Sequence, residues 1–317
     1  MRRLDALRLR ARLNALLREF FATRGVLEVE TPVMSRAGNT DPNIASFALQ
    51  FGGRTDGAPR TRWLRTSAEY PMKRLLAAGV GDCYELGRVF RDGEAGGRHN
   101  PEFTMLEWYR VGWMLDPLID ETAALVQAAL ALVGREATLR KLSYRDVYRE
   151  ALGLDPMTAS MAELQSAFAG QVDPEGLTRD DWLDLLMTHH IQPSFAPGQL
   201  LAMDDYPASQ CALAKVVRRD DVDVAERFEL YLGPLELANG YHELTDAGEQ
   251  RARFARDHAV RDARGAVLPP VDEALLGALA DGLPDCSGVA LGVDRLLMAM
   301  LGSNAIADVL AFDFAHA

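Results

Sequence analysis

Strand-like runs in closely spaced pairs, set on either side of a helical block, decide what this chain can fold into. Cys83–Arg91 and Glu102–Val111 form the first pair, and Arg227–Leu232 and Leu235–Leu244 form the second. From about 116 to 195 the texture is helical and acidic, with Ile119–Val133, Met161–Ala169 and Arg179–His190 as the expected helices. Antiparallel-looking clusters around a helical block make the class α+β. The block reads as an insertion packed beside the sheet.

The flanking segments follow from local signals. Leu9, Leu13, Leu16, Leu17 and Phe20 fall at helical spacing, so residues 4–24 read as an amphipathic helix with a basic outer face, ended by Gly25. The seven arginines in the first 24 residues are also the mark of an organelle transit peptide, but the apolar spacing favours the helix. Val26–Val33 is a short β-branched run broken by Pro32, and 37–60 is mostly loop. Thr61–Thr66 reads as a strand, Tyr70–Ala78 as a helix and 247–264 as another. A glycine-rich strand, Ser287–Gly292, runs into a helix over Asp294–Leu301.

Composition excludes several classes. At 317 residues the chain has length for one or two domains, and 48% hydrophobic residues can build a full core. A formal charge of −12 argues against a broad nucleic-acid surface, which depends on Lys and Arg. No apolar run approaches the ~18 residues of a membrane span. Cys83, Cys211 and Cys286 are scattered, without a C-x-x-C pair, so neither a disulfide nor a zinc framework is expected and the cytoplasm is the natural compartment. The adjacent His189 and His190 point in different directions on a helix, which favours a structural role over metal ligation.

The familiar phosphate loops, G-x-x-x-x-G-K-[ST] and G-x-G-x-x-G after a strand, are absent, as are G-x-S-x-G and H-E-x-x-H. Any phosphate chemistry must therefore use side chains on strands. Alternation puts Phe103, Met105, Glu107 and Tyr109 on one face of their strand, and Asn239, Tyr241 and Glu243 on one face of another. Two readings of such faces stand: a polar pocket suited to a cationic amine, or a face open to solvent. A buried carboxylate needs a partner. In Glu229–Glu236, a tight turn marked by Gly233-Pro234 and centred near 232–233 would set the two glutamates opposite one another. Like charges there repel, and a hard cation such as Mg²⁺ would relieve the conflict; the other reading is two rim carboxylates in water. Strict alternation puts Glu236 and Asn239 on opposite faces, so a bulge or twist is required if both serve one site. Arg91 ends a strand beside the glycine-rich loop 92–100, and Arg295 opens a helix. Guanidinium groups match phosphate oxygens in a bidentate way.

Those residues resemble a known family. Arg91-Asp92-Gly93-Glu94 through Arg98-His99-Asn100-Pro101-Glu102-Phe103-Thr104 is similar to motif 2 of the class II aminoacyl-tRNA synthetases. Gly288-Val289-Ala290-Leu291-Gly292-Val293-Asp294-Arg295 resembles their motif 3, and Gly25 through Pro32 their motif 1. Glu236-Leu237-Ala238-Asn239-Gly240 points to the lysyl branch, and within it to the paralogues that attach lysine to elongation factor P. The match spans nearly the whole chain.

The resemblance implies the class II catalytic core, an antiparallel sheet flanked by helices, as a single domain over 1–317 with a mainly helical insertion at about 116–195. Only 24 residues precede motif 1, too few for the anticodon-binding barrel of the tRNA-charging parent, so stable tRNA binding is not expected. It implies ATP and Mg²⁺, lysine or (R)-β-lysine as substrate, elongation factor P as acceptor, a homodimer through motif 1, and no membrane.

The implied roles are these. Arg91 and Arg295 are catalytic, Arg91 on the α-phosphate and the amino-acid carboxylate, Arg295 on the distal phosphates. Phe103 stacks on adenine, and Asp92, Gly93, Glu94, His99, Asn100, Glu236, Leu237 and Gly292 complete the ATP site. Glu229 and Glu236 hold Mg²⁺. Glu69 meets the backbone-side amine, with Ser67 and Ala68 also in the substrate site. Glu107, Tyr109 and Glu243 meet the side-chain ammonium, Asn239 helps to fix the carboxylate and Tyr241 lines the stem. Ala290 stands where the tRNA-charging parent has glycine, and its methyl would reshape the pocket around a displaced amine.

Two departures from the family pattern stand out. Motif 2 usually has Glu where this chain has Gly93, with Glu94 next, and the family's Ser-Pro-Glu is Ser67-Ala68-Glu69. The alternatives are a free-standing synthetase-like enzyme that lysylates another acceptor or, weakly, tRNA, and a non-catalytic paralogue.

Overall fold

The computed structural model describes residues 3–168, 170 and 172–317. In chain order the elements are α1 (Arg3–Ala22), β1 (Leu27–Glu28), β2 (Met34–Ser35), β3 (Ala48–Gln50), β4 (Thr61–Leu64), α2 (Glu69–Ala77), β5 (Cys83–Phe90) and β6 (Glu102–Val111). There follow α3 (Leu115–Ala131), β7 (Thr138–Ser143), α4 (Tyr144–Leu152), α5 (Met161–Ala167) and α6 (Arg179–Leu186), which runs on as a π turn, Met187–Ile191. Next are β8 (Gln199–Pro207), β9 (Val216–Arg219), β10 (Val222–Leu232), β11 (Leu235–His242), α7 (Ala247–Ala263), α8 (Glu273–Gly282), β12 (Cys286–Gly292) and α9 (Val293–Leu301). The class is α+β, as expected. The chain forms two compact units, one from Met1–Trp113 with Leu244–Ala317 and the other from Met114–Glu243.

In the first unit the strand order is β1-β5-β6-β12, with β1 parallel to β5 and the other pairings antiparallel. A second small sheet runs β2-β4-β3. The even positions of β6 face α1. Trp108 meets Phe21 at 5.3 Å, and Phe21 stacks on Tyr84 of β5 at 4.4 Å. Leu9, Leu13, Leu17 and Phe20 are buried together with Phe21, and Leu16 is half-buried, so most of the helical spacing read from the sequence is the spacing that packs. The helix ends at Ala22, and Gly25 turns the chain at φ +69°, a conformation that favours glycine.

In the second unit the order is β11-β10-β8-β7, with β9 also paired to β10. β7 lies parallel to β8, so a strand threads the block expected to be mainly helical. Its sequence, Thr138–Ser143, is polar at four of six positions and only partly buried, which hid it. Ser143 caps α4 through the amide of Asp146 at 3.0 Å, and Gly153 ends it at φ +67°. Capping boxes at Ser160/Glu163 and Thr178/Asp181 start α5 and α6. A core of Tyr144, Tyr148, Trp182, Leu183, Leu186, Leu201, Met203, Tyr206 and Tyr231 packs these helices on one face of the sheet.

The β10–β11 turn corrects one expectation. Its loop is Gly233-Pro234, with Leu232 paired to Leu235 and Tyr231 to Glu236, so the hairpin is centred one residue later than 232–233. Glu229 then pairs with Asn239, not with Glu236, and the register shifts between Leu230 and Tyr231.

Asp204 on β8 offers a test of this unit. Burial, and then neighbouring Asp205, push its carboxyl up to about 7, against the pull of Arg219. A raised carboxyl contributes stability below its unfolded pKa of ~3.9 and loses it as pH rises through 7. Asp204→Asn is therefore expected to be more stable than the parent by about 1–2 kcal/mol at pH 8 and nearly equal to it at pH 4. Urea midpoints at the two pH values measure this; a gain that is the same at both would refute it.

Candidate active site

The odd positions of β6 build the first unit's candidate site. The ladder sets Glu107 between Glu85 of β5 and Ala290 of β12, and Tyr109 between Cys83 and Gly288. Glu107 and Tyr109 are 3% and 2% exposed, which excludes the solvent-facing reading of this face. The Glu107 carboxylate accepts from the Ala68 backbone N–H at 2.9 Å and from the Tyr109 hydroxyl at 2.8 Å. Those donors offset part of the cost of burying the charge, and they dock the start of α2 on the strand. Ser67 Oγ accepts from the Glu69 amide at 3.3 Å, and Glu69 pairs with the buried Lys73 at 2.6 Å.

Glu85, which the sequence reading passed over, is the second buried carboxylate of this row. Arg65 holds one of its oxygens at 2.6 Å, and the hydroxyl of Thr31 donates to the other at 2.6 Å. Gly87 leaves room for that arginine: a Cβ there would lie 2.4 Å from Arg65 Nη2. Only register could reveal Glu85, because its own stretch of sequence shows nothing to set it opposite Glu107.

The loop after β5 carries the arginine site. Arg91 lies 5.2 Å over the Phe103 ring and 3.7 Å from Glu94. Its Nε is buried and makes no hydrogen bond, a donor that an anion would satisfy. Gly93 has φ +79°, where a glutamate would be strained, and Glu94 stands beside the arginine instead. Asp92 is exposed, its amide bonded to Ala45 O at 2.8 Å. Asn100 donates to Glu102 O and accepts from the Phe314 amide. Arg295 Nη2 donates to His99 Nε2 at 2.8 Å. Gly292 pairs with Met105 beside it.

In the second unit a bulge does what alternation could not. Leu237 is the extra residue between Glu236 and Ala238, so Glu236 and Asn239 share a face with Tyr241 and with Arg227, Glu229 and Tyr231 of β10. Leu237 itself is buried. Arg227 and Tyr231 each hold one oxygen of Glu229. Burial works against the charge of Arg227, but Glu229 together with Tyr241, Tyr206 and Tyr231 more than offsets that, and the guanidinium stays charged. Arg227 Nε also donates to Asn239 Oδ1 at 3.1 Å, and Asn239 Nδ2 to the Tyr241 hydroxyl at 2.7 Å. Glu243 is buried at the end of β11, bridged through its backbone to Ala214. His189 and His190 lie apart from these residues, edge-on to Phe168 at 5.8 and 5.2 Å.

Among the described residues no group of three or more His, Cys, Asp and Glu is placed to hold a metal ion. Glu229 and Glu236 on one face nonetheless fit a cation that brings phosphate oxygens of its own, the usual mode for Mg²⁺.

His99 gives a prediction. Burial and then the Arg295 cation lower its pKa below 6.5, so it is neutral at pH 7 and accepts from the arginine. Protonation at lower pH sets two cations together and breaks that bond. Imidazole NMR is expected to show His99 titrating below 6.5, and Arg295→Leu to move it upward. A midpoint above 6.5 in the parent would count against this geometry.

Residues 2–315 match the family model of tRNA synthetases class II (D, K and N). The elongation factor P–(R)-β-lysine ligase of Yersinia enterocolitica is 47% identical over 313 residues, covering 97% of this chain and 94% of that one. The ligase of the same name from Pasteurella multocida is 47% identical over 312 residues, with the same coverage. That from Salmonella paratyphi B is 47% identical over 308 residues, covering 96% and 93%. No helix among the described residues is long and apolar enough to cross a membrane.

Proposed function

The chain belongs to the class II tRNA synthetases (D, K and N), and on that footing we propose that it activates lysine, preferably (R)-β-lysine, with ATP and transfers it to a lysine side chain of elongation factor P. The identity to ligases of that name supports the substrate and the acceptor. The observation that carries the chemistry is Arg91, whose buried Nε lacks a partner while its guanidinium lies over Phe103. We read residues 1–317 as one catalytic domain with an insertion at about 116–195, acting as a homodimer in the cytoplasm.

In the first step a lysine carboxylate oxygen attacks the α-phosphorus in line, the bond to the β-phosphate oxygen breaks, and pyrophosphate leaves. Arg91 holds the α-phosphate and the attacking carboxylate, and Arg295 the departing phosphates. Phe103 stacks on adenine, with Asp92, Gly93, Glu94, His99, Asn100 and Gly292 around the nucleotide. Glu229 and Glu236 would hold Mg²⁺, which when bound offsets the phosphate charge, and the Leu237 backbone lies between Glu236 and Asn239. On the amino-acid side, Glu107, already oriented by Ala68 and Tyr109, takes the ammonium. Ser67, Glu69, Asn239, Tyr241 and Glu243 contact the remaining polar groups and the stem. In the second step the acceptor amine attacks the activated carbonyl carbon, AMP leaves, and a proton is released from the new amide nitrogen. Positioning and fixed charge carry both steps.

Intact mass of elongation factor P after incubation with enzyme, ATP and Mg²⁺ tests the proposal, with α-lysine and (R)-β-lysine supplied separately. A gain of one lysyl residue, larger with the β isomer, is expected; no gain with either would overturn it. Removal of a charged donor aimed at developing charge costs about 10²–10³ in rate, so Arg295→Ala is expected to lower lysine-dependent ATP–pyrophosphate exchange by that much. Ala290 lies directly across the ladder from Glu107. Ala290→Gly is expected to shift preference toward α-lysine, and an unchanged ratio of the two exchange rates would refute its role.

A further inference from the structure

We propose that Arg10, on the first helix and outside every motif of the site, is the positioning residue for the nucleotide half of the reaction. This rests on the reading of Phe103 and Arg295 as ATP contacts.

The Arg10 guanidinium reaches three separate segments. It binds one oxygen of Asp294, it donates to Val309 O at 2.9 Å, and it lies 3.5 Å from Thr104 Oγ1. The other Asp294 oxygen accepts from the Thr104 backbone N–H at 2.7 Å. Asp294 is 2% exposed, so its charge depends on these donors. Each segment ends at a nucleotide residue. Arg295 follows Asp294, and Phe103 precedes Thr104. The segment around Val309 holds the loop 92–100 at both ends of its second half, through Ile306 N to Gly97 O at 2.8 Å and Phe314 N to Asn100 Oδ1 at 2.8 Å. One guanidinium thus ties the stacking aromatic, the distal arginine and the loop to the rigid face of α1. Without it, Asp294 becomes a buried carboxylate with only one backbone donor and must rotate or take up a proton. Either response moves Thr104 and Arg295 together.

The test compares Arg10→Met, Arg10→Lys and, as a control on the same helix, Arg18→Met, which removes only an exposed pair with Glu28. KM values for ATP and for (R)-β-lysine in pyrophosphate exchange are measured with Tm and with direct ATP binding by equilibrium dialysis. Misplacement of contacts by about 1 Å can cost about 10²-fold. Arg10→Met is expected to raise KM and Kd for ATP by about 10–100-fold while leaving KM for lysine within twofold, with Arg10→Lys in between and Arg18→Met like the parent. An ATP affinity unchanged in Arg10→Met, or a parallel rise in both KM values, overturns the proposal. If Arg10→Met fails to fold, the same criteria apply to Arg10→Lys. A parent that binds ATP without exchanging pyrophosphate defeats the ligase reading and leaves Arg10 judged on ATP affinity. A parent that binds no ATP defeats both.

Discussion

A carboxylate buried in the middle of a strand has to be given donors before the sheet around it can form, and Glu107 is that carboxylate here. Its two oxygens are met by a hydroxyl two residues along the same strand and by the backbone N–H of Ala68. The second of these fixes where α2 begins, and with it the placement of Ser67 and Glu69. On the neighbouring strand Glu85 repeats the problem, and Arg65 with Thr31 answers it. Arg65 can pass over the sheet only because Gly87 has no side chain. The polar face, the start of the helix and the glycine are therefore one arrangement.

The same device recurs where charge is buried. Glu85 is divided between Arg65 and Thr31, Glu229 between Arg227 and Tyr231, and Asp294 between Arg10 and the Thr104 amide. In each case an arginine takes one oxygen and a neutral donor the other. Two donors from different directions fix the plane of a carboxylate, which a single ion pair does not. The planar fork of arginine suits this better than a lysine ammonium, which would leave the geometry free.

Period-2 alternation was enough to sort the residues of β6 and β11 into faces, and β6 runs over the residues expected, Glu102–Val111. It could not say whether a face was wet, because that depends on what packs against it. The need for a bulge between Glu236 and Asn239 was legible from parity alone, but its place at Leu237 was not. Gly233-Pro234 did mark the turn, but not its register, since a shift of one residue there costs little locally and changes every pairing beyond it. Glu85, Arg65 and Arg10 stayed hidden for one reason. Each acquires its role from a partner tens or hundreds of residues away, and a chain read locally carries no trace of that register.

Buried ion pairs of this kind contribute more to geometry than to stability. Desolvating an arginine and a carboxylate roughly cancels their attraction, whereas removing one member leaves the other buried and uncompensated, at a cost of about 3–5 kcal/mol. That asymmetry suits a reaction in which no enzyme group becomes covalently bonded. Both proposed steps depend on where fixed charges stand relative to a phosphorus and a carbonyl carbon, and an ion pair that is costly to break holds those charges still. A well-packed apolar replacement could match the stability of Arg10 with Asp294 or of Arg227 with Glu229. It could not direct a second carboxylate oxygen at the Thr104 amide or the Tyr231 hydroxyl, and it is that second contact that transmits position to Arg295 and Phe103 in one unit and to the Glu229 face of the β10–β11 hairpin in the other.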